Sequence, residues 1–139
     1  APDSALMRPL LPRIDIWTSN GPEAMAFTGA TDIASALREL GRHLPAQTLR
    51  VVRDGPNGCW VGRAGEIEHV PGFKVRAVDS NGAGDAHAGV FIAGLASGLA
   101  PAVAARRANA AAALAVTRWG PATCPGTAEV NAQLGEAGK

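Results

Sequence analysis

Apolar positions recur with two periods along this chain, one near two and one near four, and turns containing Gly and Pro separate them. "IDIWTS" (Ile14 to Ser19) alternates and is β-branched, which predicts a strand. "NGPEAMAFTG" follows as a turn and a short helix. In "TDIASALRELGRHL", Ile33, Leu37, Leu40 and Leu44 fall at helical spacing, with Thr31 or Asp32 as the cap. "TLRVVR" (Thr48 to Arg53) is the next strand. "DGPNG", "CWVG", "RAG" and "EIEHV" then read as turn, strand, turn and strand, an antiparallel meander. A helix rich in Ala and Gly is expected from Gly82 to about Gly98. "APAVAARRANAAAALAVTRWG" predicts a second one from strong helix formers. Near the ends, "DSALMRPLL" predicts a short helix capped by Asp3 or Ser4, and "TAEVNAQLGEAG" a helix capped by Thr127. Strands and helices alternating around a meander predict a layered α/β domain.

The length of 139 residues suits one domain or part of a larger one, and a hydrophobic content of 47% is enough to bury a core. The formal net charge of +1 argues against a nucleic-acid partner, because Arg106-Arg107 is the nearest approach to a basic cluster. Cys59 and Cys124 stand far apart with no C-x-x-C, so a reducing, cytoplasmic setting is expected. Gly, Ser and Pro interrupt "AGVFIAGLASGLAPAVAA", which predicts no membrane span. "APDSALMRPLLPR" lacks the charged and apolar regions of a signal peptide.

"DSNGAGDAHAG" (Asp79 to Gly89) sets two carboxylates on either side of Gly-Ala-Gly, where an apolar helix begins. No Gly-Lys-Ser/Thr follows, so it is not a Walker A loop. His87 stands where a dinucleotide fingerprint needs its third Gly. An ordinary strand-to-helix turn accounts for the glycines alone. An anion-handling turn accounts for more. Glycines let backbone approach a ligand, and the first turn of a helix offers unpaired N–H groups at the positive end of its dipole. Asp85 at that helix start is held ionised and available as a base. A substrate hydroxyl must then lie between it and a phosphate, with cations balancing the charge, and Asp79 is placed to help hold one.

The run Asp79-Ser80-Asn81-Gly82-Ala83-Gly84-Asp85 resembles the Asp-Thr-x-Gly-Ala-Gly-Asp motif of the ribokinase (PfkB-type) carbohydrate kinases, with Ser for Thr as the departure. Asn20 and Glu23 in "SNGPE" are similar to that family's Asn-x-x-Glu motif. "VVRDGPNGCWV", with Gly55 and Gly58, is similar to its strand-turn-strand over the nucleotide. "ANAAAALAVTRWGPATC" resembles its nucleotide-side helix and cation loop. The resemblance implies a three-layer α/β/α ribokinase-like fold and ATP-dependent phosphorylation of a sugar or nucleoside acceptor with Mg2+. It implies that Asp85 takes the proton of the acceptor hydroxyl and that the N–H groups of Gly82, Ala83 and Gly84 form the anion hole. Asn20 and Glu23 would organise magnesium through water, Arg53 would face the phosphates, and Asn109 would lie beside the adenine. Asp79 and the carbonyls of Asn81, Ala115, Arg118 and Gly120 resemble a monovalent cation site. Relatives often place a Ser hydroxyl where this chain has Cys124; a thiol is a poor ligand for a hard cation, so weak dependence on potassium is expected.

Other residues carry blander expectations. Asp54 reads as an exposed turn carboxylate, and His87 as a packing residue at a helix start. His43 and His69 have no partners that suggest a metal. Trp17, Trp60 and Trp119 read as core or rim packing, with Trp119 alone at the edge of a nucleotide pocket. The resemblance covers the C-terminal, nucleotide-binding and catalytic part of a single ribokinase-like domain, without the N-terminal half that supplies the lid and most acceptor contacts. The chain by itself is therefore expected not to phosphorylate a sugar. A homodimer is admitted for the complete enzyme. The alternative reading is a non-catalytic split or degenerate relative that acts as a nucleotide-binding or interaction module.

Overall fold

The computed structural model describes residues 4–135. They form two compact units: one runs to Gly55 and adds Cys59–His69, and the other comprises Pro56–Gly58 and the residues from Val70 on. Asp3 as a cap, and the continuation of the last helix over 136–138, lie outside the described residues.

The first unit is built on a sheet of β1 (Ile16–Asn20), β2 (Leu49–Arg53), β3 (Gly58–Arg63) and β4 (Glu66–Pro71), in that spatial order. β1 and β2 are parallel, with Ile16 opposite Leu49 and Asn20 opposite Arg53. β2 and β3 are antiparallel, with Arg50 opposite Gly62. The parallel pair needs a crossover, and α1 (Gly21–Thr28) and α2 (Ile33–His43) supply it. Asp32 caps α2 by accepting the Ser35 N–H at 2.8 Å. The periodic face of α2 sends Leu37 and Leu40 into a core with Ala24, Ala36 and Val52. Trp17 packs on Phe27 at 4.8 Å between ring centres along its edge. The first expected helix is not formed. Ser4 does act as a cap, accepting the Met7 N–H at 3.1 Å. Pro9 and Pro12 then limit the segment to turns and a short 3-10 stretch, Leu11–Arg13.

Arg50 is a buried cation held by carbonyls, with 4% of its surface exposed. Its Nη1 donates to Leu37 O at 2.8 Å and its Nε to Gly62 O at 3.4 Å. Burial lowers its pKa from the ordinary guanidinium value. The space for the guanidinium comes from Gly41, where a Cβ would overlap Arg50 Nη1.

The second unit contains α3 (Ala83–Ala96), α4 (Pro101–Ala115) and α5 (Thr127–Leu134). Seven of the alanines of α4 are buried. With such short side chains α3 and α4 approach closely, so that a Cβ on Gly94 would stand 3.0 Å from Ala104 Cβ. Within this apolar seam lie two polar residues, His87 (2% exposed) and Asn109 (5% exposed). His87 Nε2 and Asn109 Oδ1 are 3.0 Å apart, and Asn109 Nδ2 donates to Val70 O at 2.9 Å and Pro71 O at 3.2 Å. Those two acceptors orient the amide, so its Oδ1 is left to accept from His87 Nε2–H. The last helix starts one residue earlier than expected. Gly126, not Thr127, is its cap, and Glu129 reaches back to accept the Gly126 N–H at 3.0 Å.

Two helix glycines should respond to the same substitution with opposite sign. Gly41→Ala forces a methyl onto Arg50 and should lower stability by about 1–3 kcal/mol. Gly89, exposed within α3 with no atom near its missing Cβ, should gain about 0.5–1 kcal/mol as Ala. Urea unfolding of the two variants checks both.

Candidate active site

Ligands in parallel α/β sheets gather outside the carboxyl ends of the strands. In the first unit that end is Asn20 on β1 and Arg53 on β2, neighbours in register. Asn20 caps α1: its Oδ1 accepts the Glu23 N–H at 2.8 Å, and Glu23 Oε2 accepts the Asn20 N–H at 2.9 Å. The Asn-x-x-Glu pair is thus a reciprocal capping box. That role was legible in the spacing and was not part of the expectation. It leaves Asn20 Nδ2 and Glu23 Oε1 outside the box. Arg53 Nη1 donates to Thr18 Oγ1 at 2.8 Å. Gly55 follows with φ of +55°, in open space. Asp54 accepts from Trp60 Nε1 at 3.4 Å, so it is a partnered turn carboxylate.

In the second unit Gly58 (φ +103°) lies against the backbone of Val70 to Gly72, where a Cβ would overlap Val70 O. Asp79, Asn81, Gly82, Ala115, Arg118 and Gly120 are brought together here. Asp79 accepts two backbone N–H groups at 2.9 Å, Asn81 on Oδ1 and Gly120 on Oδ2. These bonds hold its pKa below the ordinary carboxylate value. Val116 O accepts the N–H groups of Val78 and Asp79 at 2.7 and 3.2 Å. Gly82 caps α3 at φ +73°, and a side chain there would overlap the Pro121 carbonyl. The Ala83 N–H turns back to Ser80 O at 3.3 Å. The Gly84 and Asp85 N–H groups, in the first turn, have no intrahelical carbonyl to reach. Asp85 is exposed in that same turn. Arg118 pairs with Glu129, whose pKa is lowered first by the Gly126 N–H and then by Arg118.

Sequence reasoning missed Thr123. Its Oγ1 lies 3.1 Å from Ala115 O and 3.4 Å from Gly120 O. It also missed Glu129 as the loop's anchor. Cys124 is exposed, with Sγ 3.8 Å from Pro125 O. Trp17 and Trp60 pack as expected, whereas Trp119 is 79% exposed beside this loop. Among the described residues no three of His, Cys, Asp and Glu cluster as a metal site, and no helix is long and apolar enough to cross a membrane.

One unit thus carries a parallel-strand end with a capped polar pair, and the other a glycine turn that feeds a helix start with an exposed carboxylate, in an α/β protein. Residues 2–128 match the pfkB family carbohydrate kinases. The chain belongs to that family. It is 35% identical over 128 residues to the ribokinase of Haemophilus influenzae, covering 86% of this chain and 40% of the relative. It superposes on the crystal structure of ribokinase from Thermotoga maritima with a TM-score of 0.83 at 30% identity, covering 92% of this chain and 44% of that one. A candidate ribokinase II from E. coli, in complex with ATP and Mg2+, gives 0.82 at 28% identity over 93% of this chain and 42% of that one. The fold is therefore the ribokinase-like α/β fold, and the chain spans about two fifths of the length of these relatives.

The Asp79 and Glu129 carboxyls, both depressed on folding, contribute stability that is complete above their unfolded pKa values, near ~4. It is lost as pH falls through the lower folded values. Below about pH 4 the loop from Ala115 to Gly126 should open, and Asp79→Asn should be less stable at neutral pH with a flatter acid limb. Unfolding midpoints measured from pH 2 to 7 check this. Gly82→Ala should disorder the turn against Pro121 and lower stability by more than about 1 kcal/mol, read from the same unfolding curves.

Proposed function

We propose that this chain is the C-terminal, nucleotide-binding and catalytic part of a ribokinase-like domain that transfers a phosphoryl group from ATP to a hydroxyl of a sugar or nucleoside. The observation that carries the reading is the first turn of α3, where the open N–H of Gly84 and the exposed carboxylate of Asp85 share one helix start. Phosphoryl transfer needs positioning and charge stabilisation more than covalent help from the protein. The N–H groups of Gly82 and Gly84 receive the negative charge of the transferring group, and the positive end of α3 adds to them. Ala83 contributes through the turn, since its N–H is engaged by Ser80. Asp85 accepts the proton of the acceptor hydroxyl. That oxygen then bonds to the γ-phosphorus as the bond to the ADP oxygen breaks.

Arg53, at the end of β2, faces the polyphosphate. Gly55 and Gly58 shape the turn that covers the nucleotide. Asn109 acts by fixing α4 beside the adenine, because its amide is engaged by Val70, Pro71 and His87. The residues fit a magnesium ion, since Glu23 Oε1 stands outside the capping box and magnesium usually keeps several waters. When bound, the ion neutralises charge on the phosphate oxygens. Glu23 and Asn20 orient its water shell from a helix start that their own hydrogen bonds stiffen.

Asp85→Asn, in the enzyme that carries this chain, should lower kcat by about 10²–10⁴-fold and leave nucleotide affinity nearly unchanged. Steady-state kinetics with calorimetric ATP binding tests this; a variant of full activity would remove Asp85 from the mechanism.

A further inference from the structure

The relatives' pattern puts a monovalent cation among Asp79 and the carbonyls of Asn81, Ala115, Arg118 and Gly120. The donor set of this chain does not fit one. Each Asp79 oxygen receives one backbone N–H group, from Asn81 or Gly120, so part of its charge is already met. Ala115 O accepts the Arg118 N–H at 3.2 Å and Thr123 Oγ1 at 3.1 Å, which occupies both of its lone pairs. The same hydroxyl stands 3.4 Å from Gly120 O. The hydroxyl therefore stands within reach of both carbonyls. Cys124 offers no hard oxygen, and its Sγ is turned to Pro125 O. The loop is further held from outside by Arg118, which donates from Nη1 to Thr123 O at 3.5 Å and pairs with Glu129 through Nη2.

We propose that the Thr123 hydroxyl takes the place of a monovalent cation in this loop, so that the loop keeps its shape without potassium. Two electron-rich carbonyls brought together need a positive partner between them. A hydroxyl dipole supplies a partial charge, and the N–H groups on Asp79 offset part of the negative charge that would have balanced a whole one. The significance of the loop for phosphoryl transfer rests on the function proposed above; its indifference to potassium does not.

The test uses this chain, free of nucleotide, in potassium chloride or tetramethylammonium chloride at equal ionic strength. The readout is hydrogen exchange of the Gly120 amide, which bonds to Asp79, together with the thermal midpoint. The wild type should give the same protection and midpoint in both salts. Thr123→Val, which keeps the shape, should lose about two- to tenfold of the Gly120 protection in tetramethylammonium, and potassium should restore it. Thr123→Ser should behave as the wild type. Potassium-dependent protection in the wild type would overturn the proposal. So would a loss in Thr123→Val that potassium leaves unrepaired, because the hydroxyl would then be holding the loop without standing in for an ion. No phosphoryl transfer enters the readout, so a failed kinase test leaves these outcomes unchanged.

Discussion

The carboxylate of Asp79 joins two pieces of backbone that are 41 residues apart, and the second unit's glycine turn depends on that join. One oxygen shapes its own segment into a turn through Asn81, and the other captures Gly120. With Gly120 in place, Pro121 lies against Gly82, which is why that residue can carry no side chain and why α3 begins where it does. Asp85 thus stands at a helix start organised by another carboxylate six residues earlier. The first is engaged by backbone donors and the second is open to solvent. Paired acids in one short motif are separated in role by their partners and not by their chemistry.

Much of this was legible in the chain. α2 announced itself because a one-sided apolar stripe, an Asp cap and a following Pro all agree. The meander was legible from glycines at each corner. The first helix was overestimated because its cap signal was real, while two prolines closed the segment after a few turns. Thr127 was taken as a cap on residue type, whereas Gly126 with Glu129 three residues on satisfies the same N–H groups. The glycine turn identified the site, but Thr123 did not, since nothing in a hydroxyl's local sequence tells which distant carbonyls it will reach. Arg50 was equally invisible: the glycine that makes room for it, Gly41, lies on a different element.

Asn20, Glu23 and Asn109 show how structure and chemistry share atoms. Asn20 and Glu23 each keep one polar atom outside their capping box, whereas the whole amide of Asn109 is engaged by Val70, Pro71 and His87. Pre-engaged side chains keep little rotamer freedom to lose when a ligand arrives. Substituting any of them therefore alters the local fold and the site together. A variant there would report on backbone hydrogen bonds as much as on any ligand, which sets these positions apart from Asp85, whose side chain supports no neighbour among the described residues.

The α4 side of its seam with α3 is made largely of alanine. Short side chains let the helices close, but they interlock little. Such a surface resists separation more than it resists sliding. The His87–Asn109 bond crosses it with a direction, and Asn109 is itself moored to the backbone at Val70 and Pro71. In mechanical terms the seam is a rail and the pair is its pin. A slip by a single helical turn, about 5.4 Å, would carry Asp85 off the turn that Asp79 organises, so the register of the two helices is what keeps that carboxylate in place.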